Sequence, residues 1–159
     1  MHKILVPVDG SGHALKALQI ACDLADKYGG QIVLLHVLAG RRQAGELLAL
    51  PVASMFSAKL KEVLAAVDGK LAPVPDSVRK AVGEAILKHG EERVTRRGIE
   101  VEALDLESGD PADSILLAHK RVGATTIVMG CRGASKAEHS SFGSVSHKVF
   151  EQATCTCLS

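Results

Sequence analysis

Three glycines near the C-terminal end of the chain have the spacing of residues that hold phosphate. Gly130 and Gly133 are separated by two residues, and nine residues later Gly143 is followed by Ser144 and Val145. A glycine carries no side chain, so the backbone beside it can approach an anion closely. The segment lies between an apolar run and a helix-like run, and the first N–H groups of a helix lack internal partners and carry partial positive charge. The pattern therefore predicts a phosphate-binding turn.

An acidic residue, Asp9, ends the first apolar run of the chain at residues 4–8. Ligands of open parallel sheets bind beyond the C-terminal ends of the strands, where the strand order reverses. If the first and fourth strands are neighbours, Asp9 and the glycine segment flank one crevice. Asp9 is therefore expected to contact the ligand. The alternative is that it caps the following helix, and one residue can do both.

Two common nucleotide motifs are absent from the sequence. No Gly-Lys-Ser/Thr occurs, so the glycine segment is not a P-loop. Gly10-Ser11-Gly12 follows the first strand, but Leu15 stands where the dinucleotide fingerprint has its third glycine. The second strand ends in His36-Val37, with no acid to bind a ribose. His36, inside an apolar run, is expected to be a core histidine.

Strands and helices alternate along the chain and must position these residues. Apolar runs typical of buried parallel strands are followed by segments with helical spacing of apolar residues. This order predicts an α/β fold with an open, parallel, five-stranded sheet in the order 3-2-1-4-5 and helices on both faces, which is a Rossmann-like arrangement. The predicted strands cover residues 4–8, 31–37, 99–106, 125–129 and 155–158.

Residues 1–159 are predicted to form a single domain with a helical insertion at 40–75. The insertion is too apolar for a solvated linker, so it either packs on the domain or meets a partner. Ser11 and Asp76 are predicted to cap the helices that follow them.

The composition excludes several classes of protein. Apolar residues make up 47% and aromatic residues 3%, and 19 Lys and Arg nearly balance 18 Asp and Glu. These values argue against a nucleic-acid-binding protein. The sequence contains neither a signal peptide nor an apolar run long enough to span a membrane, so we expect a cytoplasmic protein.

The four cysteines do not form a disulfide framework. Cys155 and Cys157 lack a second pair at zinc spacing and are expected on one face of a short last strand. Cys131, inside the glycine segment, is either an inert filler or a thiol whose oxidation gates ligand binding.

Taken together, these motifs resemble the universal stress protein family, in its ATP-binding branch. The similarity covers nearly the whole chain, and it rests on residues 4–11, on His36-Val37, on the turn at 109–111 and on the glycine signature from Gly130 to Val145. The resemblance implies a fold like that of the adenine nucleotide alpha hydrolases, and an adenine nucleotide (ATP, or else ADP or AMP) as ligand.

The resemblance also implies a role for each matching residue. Asp9 would lie by the adenine and ribose, and the backbone of Val37 would face the adenine edge. Met129 and Gly130 would line the ribose and phosphate path, while backbone N–H groups of the glycine signature would hold the phosphates. Arg132 and Lys136 are complementary in charge to phosphate. Magnesium would be carried by the phosphates, without protein ligands. The predicted nucleotide-binding residues are Pro7, Val8, Asp9, Val37, Met129, Gly130, Arg132, Gly133, Gly143, Ser144 and Val145.

The function that the resemblance implies is that of an ATP-binding, nucleotide-dependent stress-response module. No general base or nucleophile is evident in the glycine segment, so fast catalysis is not expected. Two alternatives are a slow magnesium-dependent ATPase and a structural dimer without nucleotide. The family implies a homodimer that pairs through a longer fifth strand. This chain stops at Ser159, so the insertion is the alternative interface.

Overall fold

Alternating strands and helices build a parallel sheet in a computed structural model of the chain, which describes residues 2–38, 42–68, 73–103, 106–133 and 143–159. Lys136 lies outside the described residues. The elements in chain order are β1 (His2–Pro7), α1 (Gly12–Tyr28), β2 (Gly30–Leu35), β3 (Val37–Leu38), α2 (Ala44–Leu48), a 3₁₀ helix (Pro51–Met55), α3 (Ala58–Val67), α4 (Asp76–Thr95), β4 (Val101–Ala103), β5 (Glu107–Ser108), α5 (Pro111–Val122), β6 (Thr126–Val128), α6 (Ser144–Gln152) and β7 (Thr156–Leu158).

The main sheet has the strand order β4-β2-β1-β6-β7, and its four pairings are all parallel. This is the predicted 3-2-1-4-5 topology under a different numbering, so the prediction is confirmed. The order reverses beside β1, and the loops after β1 and β6 therefore leave the sheet side by side.

Two layers of helices cover the sheet. Alternate residues of the strands point to opposite faces. Ile4 and Val6 of β1 pack in a buried cluster with α1 and α4, whereas Leu5 packs with α5 and α6 in a second cluster. Helices on both faces, as predicted, leave only the ends and edges of the sheet open.

Val37 was predicted at the end of the second strand, and this placement is wrong. The strand of the main sheet ends at Leu35, and Val37 begins β3, which pairs with β5 in a separate two-stranded sheet. The physical reason is that His36 turns its carbonyl to the N–H of Glu107, at 3.1 Å, instead of continuing along β1.

The helix starts agree with the prediction at Ser11 and differ at Asp76. The Ser11 hydroxyl accepts the N–H of Ala14 at 3.2 Å and caps α1. Pro75 occupies the N-cap position of α4, and Asp76 is the first helical residue, where its carboxylate pairs with Arg79. An acid in the first turn still complements the helix dipole.

The insertion packs on the domain. Its apolar side chains join the cluster of α1 and α4, with Val52 and Phe56 only 1% and 4% exposed, while the neighbouring Met55 is 53% exposed. The sequence left open whether the insertion packs on the domain or meets a partner, and these residues pack on the core of the domain. Within the described residues, no helix has the length and apolar character needed to cross a bilayer.

Candidate functional site

A cavity of about 400 Å³ opens where β1 and β6 end. Its lining contains the whole set of residues predicted from the sequence, drawn from the ends of β1 and β6, from β3, from the glycine segment and from α6. These are Pro7, Val8, Asp9, Val37, Met129, Gly130, Arg132, Gly133, Gly143, Ser144 and Val145. The fold thus brings residues from four distant parts of the chain around one space.

One side of the cavity is apolar. Leu35 and Met129 come from the ends of strands, and Pro111 and Ile115 come from the first turns of α5. Leu35, Ile115 and Met129 are buried. An apolar wall of this kind suits a flat ring system, whose insertion removes apolar surface from water.

The two ends of the glycine segment also line the cavity, and hydrogen bonds join these ends. The N–H of Gly143 donates to the carbonyl of Cys131 at 2.7 Å. The buried hydroxyl of Ser146 lies 2.9 Å from the carbonyls of both Cys131 and Gly143 and can donate to either. The Gly143 N–H was expected to hold phosphate, but it is used here to close the loop.

The N-terminus of α6 faces the cavity through Ser144, Val145 and Ser146. Gly143 is the N-cap residue and provides no side-chain cap. The first N–H groups of a helix have no acceptor within the helix, and they carry the positive end of its dipole. This end of α6 is therefore suited to bind an anion.

Asp9 stands between the start of α1 and the glycine segment. Its Oδ1 accepts the N–H of Ser11 at 3.0 Å. A Cβ added to Gly133 would lie 3.1 Å from Oδ2 of Asp9, a tight contact that would require the Asp9 carboxylate to shift. The capping of α1 belongs to the Ser11 hydroxyl, and the Asp9 carboxylate lines the cavity.

The sequence analysis missed Arg42 and Glu46, which come from the insertion and also line the cavity. The Nη1 of Arg42 donates to the backbone carbonyl of Asp9 at 3.3 Å, and its Nη2 lies 3.6 Å from Oδ2 of the same residue. No motif marks these two residues, because their approach to the end of β1 depends on tertiary packing of the insertion. Ala14, Leu35, Pro111, Ile115 and Ser146 complete the lining.

His36, between β2 and β3, is buried. Its Nδ1 is 2.7 Å from the carbonyl of Val8, to which the neutral ring can donate. Burial lowers the pKa of His36 below its ordinary value of 6.5, and the hydrogen bond to Val8 opposes this shift only in part. The expectation of a hydrogen-bonded core histidine is confirmed.

Cys157 lies in the last strand, β7, and Cys155 immediately precedes it. Cys155 and Cys157 both pack on the cluster formed with α5 and α6, as the shared-face prediction requires. Burial, with the neighbouring Cys155, raises the pKa of Cys157 to about 11, so this thiol stays protonated at neutral pH. Among the described residues, no group of three or more His, Cys, Asp or Glu side chains could hold a metal ion.

Comparison with known proteins gives consistent results. The model of the universal stress protein family matches residues 1–158. Universal stress protein YxiE of Bacillus subtilis is 32% identical over 157 residues, covering 99% of this chain and 97% of the relative.

Two solved structures share the fold and carry a nucleotide. The universal stress protein of Archaeoglobus fulgidus in complex with dAMP has a TM-score of 0.65 at 22% identity, with 99% of this chain and 96% of the other covered. A protein of the same family from Arabidopsis thaliana with AMP bound has a TM-score of 0.64 at 19% identity, with 99% and 90% covered.

Proposed function

The chain belongs to the universal stress protein family, and from this premise and the cavity we propose that it binds an adenine nucleotide between β1 and β6. The observation that carries the proposal is the N-terminus of α6, which faces the cavity without a side-chain cap. Anion sites of this type need no charged side chain, because backbone N–H groups and the helix dipole supply the attraction.

The phosphate end of the ligand lies at the glycine segment. The N–H groups of Ser144 and Val145 donate to phosphate oxygens, and the Ser144 hydroxyl adds a donor. Gly130 and Gly133 allow the backbone to come close, and the guanidinium of Arg132 provides a positive charge at the rim. Gly143 contributes by closing the loop through its bond to Cys131.

The adenine end lies against the apolar wall near Val37. The His36 carbonyl points to β5, where it accepts the N–H of Glu107. Because successive peptide groups of a strand point in opposite directions, the N–H and C=O of Val37 are directed away from β5. They are the backbone groups that recognise the adenine edge. Pro7 and Val8 line the path at the end of β1, and Asp9 accepts a hydrogen bond from the ribose.

ATP with magnesium is the ligand we propose within this class, and the protein acts by reporting which nucleotide is bound. The ion would be carried by the phosphate oxygens and water, as magnesium commonly is in nucleotide sites. A ligand that contacts both α6 and the end of β1 stabilises the folded state by mass action. The difference between the free and the nucleotide-bound protein would then be the signal of a stress-response module.

Isothermal titration with AMP, ADP and ATP, with and without magnesium, tests the proposal. We expect binding by the wild-type protein and its loss in Gly133→Leu, where a side chain fills the space beside Asp9. The control is Gly12→Ala, because a Cβ on Gly12 meets no atom within 4 Å. No heat with any adenine nucleotide would refute the proposal. Turnover of labelled ATP that is lost in Gly133→Leu would point to the ATPase instead.

A further inference from the structure

Arg42 lines the cavity although it belongs to the insertion and not to the main sheet. It precedes α2, in the insertion, and its guanidinium reaches back to the end of β1. Its side chain is 29% exposed, so it is partly withdrawn from water while its charged end remains at the cavity.

Arg42 contacts Asp9 through two of its guanidinium nitrogens. One nitrogen donates to the Asp9 carbonyl at 3.3 Å, and the other lies 3.6 Å from Oδ2, which is within ion-pair distance but long for a hydrogen bond. A guanidinium has five N–H donors in a rigid fork that matches the oxygens of carboxylates and phosphates. These two contacts do not exhaust that capacity.

Asp9 creates an electrostatic problem for any anionic ligand. Its carboxylate faces Gly133 in the same loop that leads to the N-terminus of α6. A negative charge beside a phosphate site disfavours binding unless a cation is near. Arg42 is a cation that contacts this carboxylate, with its Nη2 3.6 Å from Oδ2 of Asp9.

We infer that Arg42 determines specificity for phosphorylated ligands, neutralising Asp9 and pairing directly with a phosphate group of the bound nucleotide. The inference rests on the proposed function and adds to it a residue from the insertion. It predicts that the cavity selects nucleoside phosphates over nucleosides through Arg42, in addition to the backbone of α6.

Titration of AMP and of adenosine into wild-type, Arg42→Ala and Arg42→Lys proteins tests this inference. We expect Arg42→Ala to weaken AMP binding about tenfold or more, because a charge-assisted contact is lost. Adenosine affinity should change by less than about twofold, since it has no phosphate for that contact. Arg42→Lys should be intermediate, because it keeps the charge without the fork. Arg97→Ala, which breaks a surface ion pair with Asp23, is the control and should match the wild type.

The double variant Asp9→Asn/Arg42→Ala separates the two parts of the role. If Arg42 pairs with phosphate, the double variant binds AMP about tenfold more weakly than the single variant Asp9→Asn, which carries the same change at the ribose. Recovery of wild-type AMP affinity in the double variant would overturn direct pairing, as would equal losses for AMP and adenosine in Arg42→Ala. Circular dichroism verifies that each variant is folded. If the wild-type protein bound neither ligand, the proposed function itself would fail, which is a different result from unchanged AMP affinity in Arg42→Ala.

Discussion

Gly130 packs directly against His13 at the start of α1. A Cβ built on Gly130 would lie 2.8 Å from the Cβ of His13 and 2.9 Å from its carbonyl carbon, which is closer than real contacts allow. The missing side chain at position 130 therefore lets the end of β6 meet the first turn of α1. This close packing is a reason for glycine at position 130 that is separate from any approach to an anion.

Replacing Gly130 with alanine should strain this contact. We expect Gly130→Ala to reduce the free energy of unfolding by about 1 to 3 kcal/mol, the usual cost of overpacking a close backbone contact. Urea denaturation measures the change. Gly12→Ala, in the turn of α1 that Gly130 contacts, serves as a control because its Cβ meets no atom within 4 Å. Equal stability of Gly130→Ala and wild type would contradict the packing described here.

The insertion offers a matched pair of neighbours, Met55 and Phe56. Phe56 is 4% exposed in the core cluster, whereas Met55 is 53% exposed. We expect Phe56→Ala to cost about 3 to 5 kcal/mol, the range for large-to-small changes in a core. Met55→Ala should stay within about 0.5 kcal/mol of the wild type. Similar small effects at both positions in thermal or urea unfolding would mean that the insertion is not part of the core.

The buried His36 should make stability depend on pH. Burial lowers its folded-state pKa below 6.5, so the unfolded chain binds more protons as the pH falls below that value. The stability from the neutral ring is complete above pH 6.5 and is lost as the pH falls from there toward the folded-state pKa. Protonation of the buried ring also places a charge in surroundings of low dielectric constant, which destabilises the folded state.

The check is urea unfolding at about pH 8 and about pH 5, on either side of the histidine titration. The difference between the two conditions should shrink in His36→Asn, which removes the titrating ring and keeps a donor for the Val8 carbonyl. His89→Asn is the comparison, since burial also lowers the pKa of His89 although that residue is less buried. An unchanged pH dependence in His36→Asn would show that the ring is not responsible.

Ser146 should support the ligand site without touching phosphate. Its hydroxyl bonds to the carbonyls of Cys131 and Gly143 at the two ends of the loop. Ser146→Ala should lower the free energy of unfolding by about 1 kcal/mol and weaken AMP binding, because the loop is less well closed. Ser54→Ala, which removes an exposed hydroxyl bonded to Pro51, is the matched control. Wild-type AMP affinity in Ser146→Ala would argue against a supporting role.

Sequence patterns were sufficient for the alternation of strands and helices and for the start of α6, because both depend on local signals. Buried strands appear as apolar runs, and Gly143-Ser144-Val145 marks the start of a helix. Sequence patterns failed where tertiary contacts alone determine where an element ends. The apolar run through Val37 is continuous, so nothing local shows that β2 ends at Leu35 and that a two-residue strand follows.

The residues around Asp9 show the same limit. Asp9 and Gly133 were paired in the sequence analysis because both follow strands whose order could be inferred. Arg42 has no such signal, since its approach to Asp9 depends on how the insertion folds back onto α4 and the core. The reason for glycine at position 130 also required coordinates, because the neighbouring atoms belong to α1.

The most direct test of the account is a titration of isotope-labelled protein with AMP, followed through its backbone amide resonances. The account predicts that the amides of Ser144, Val145 and Gly133 shift with AMP, and that adenosine shifts the amide of Val37 while leaving those of Ser144 and Val145 much less affected. If AMP left the amides of Ser144 and Val145 unmoved in folded protein, the N-terminus of α6 would not be a phosphate site, and the central claim would be contradicted.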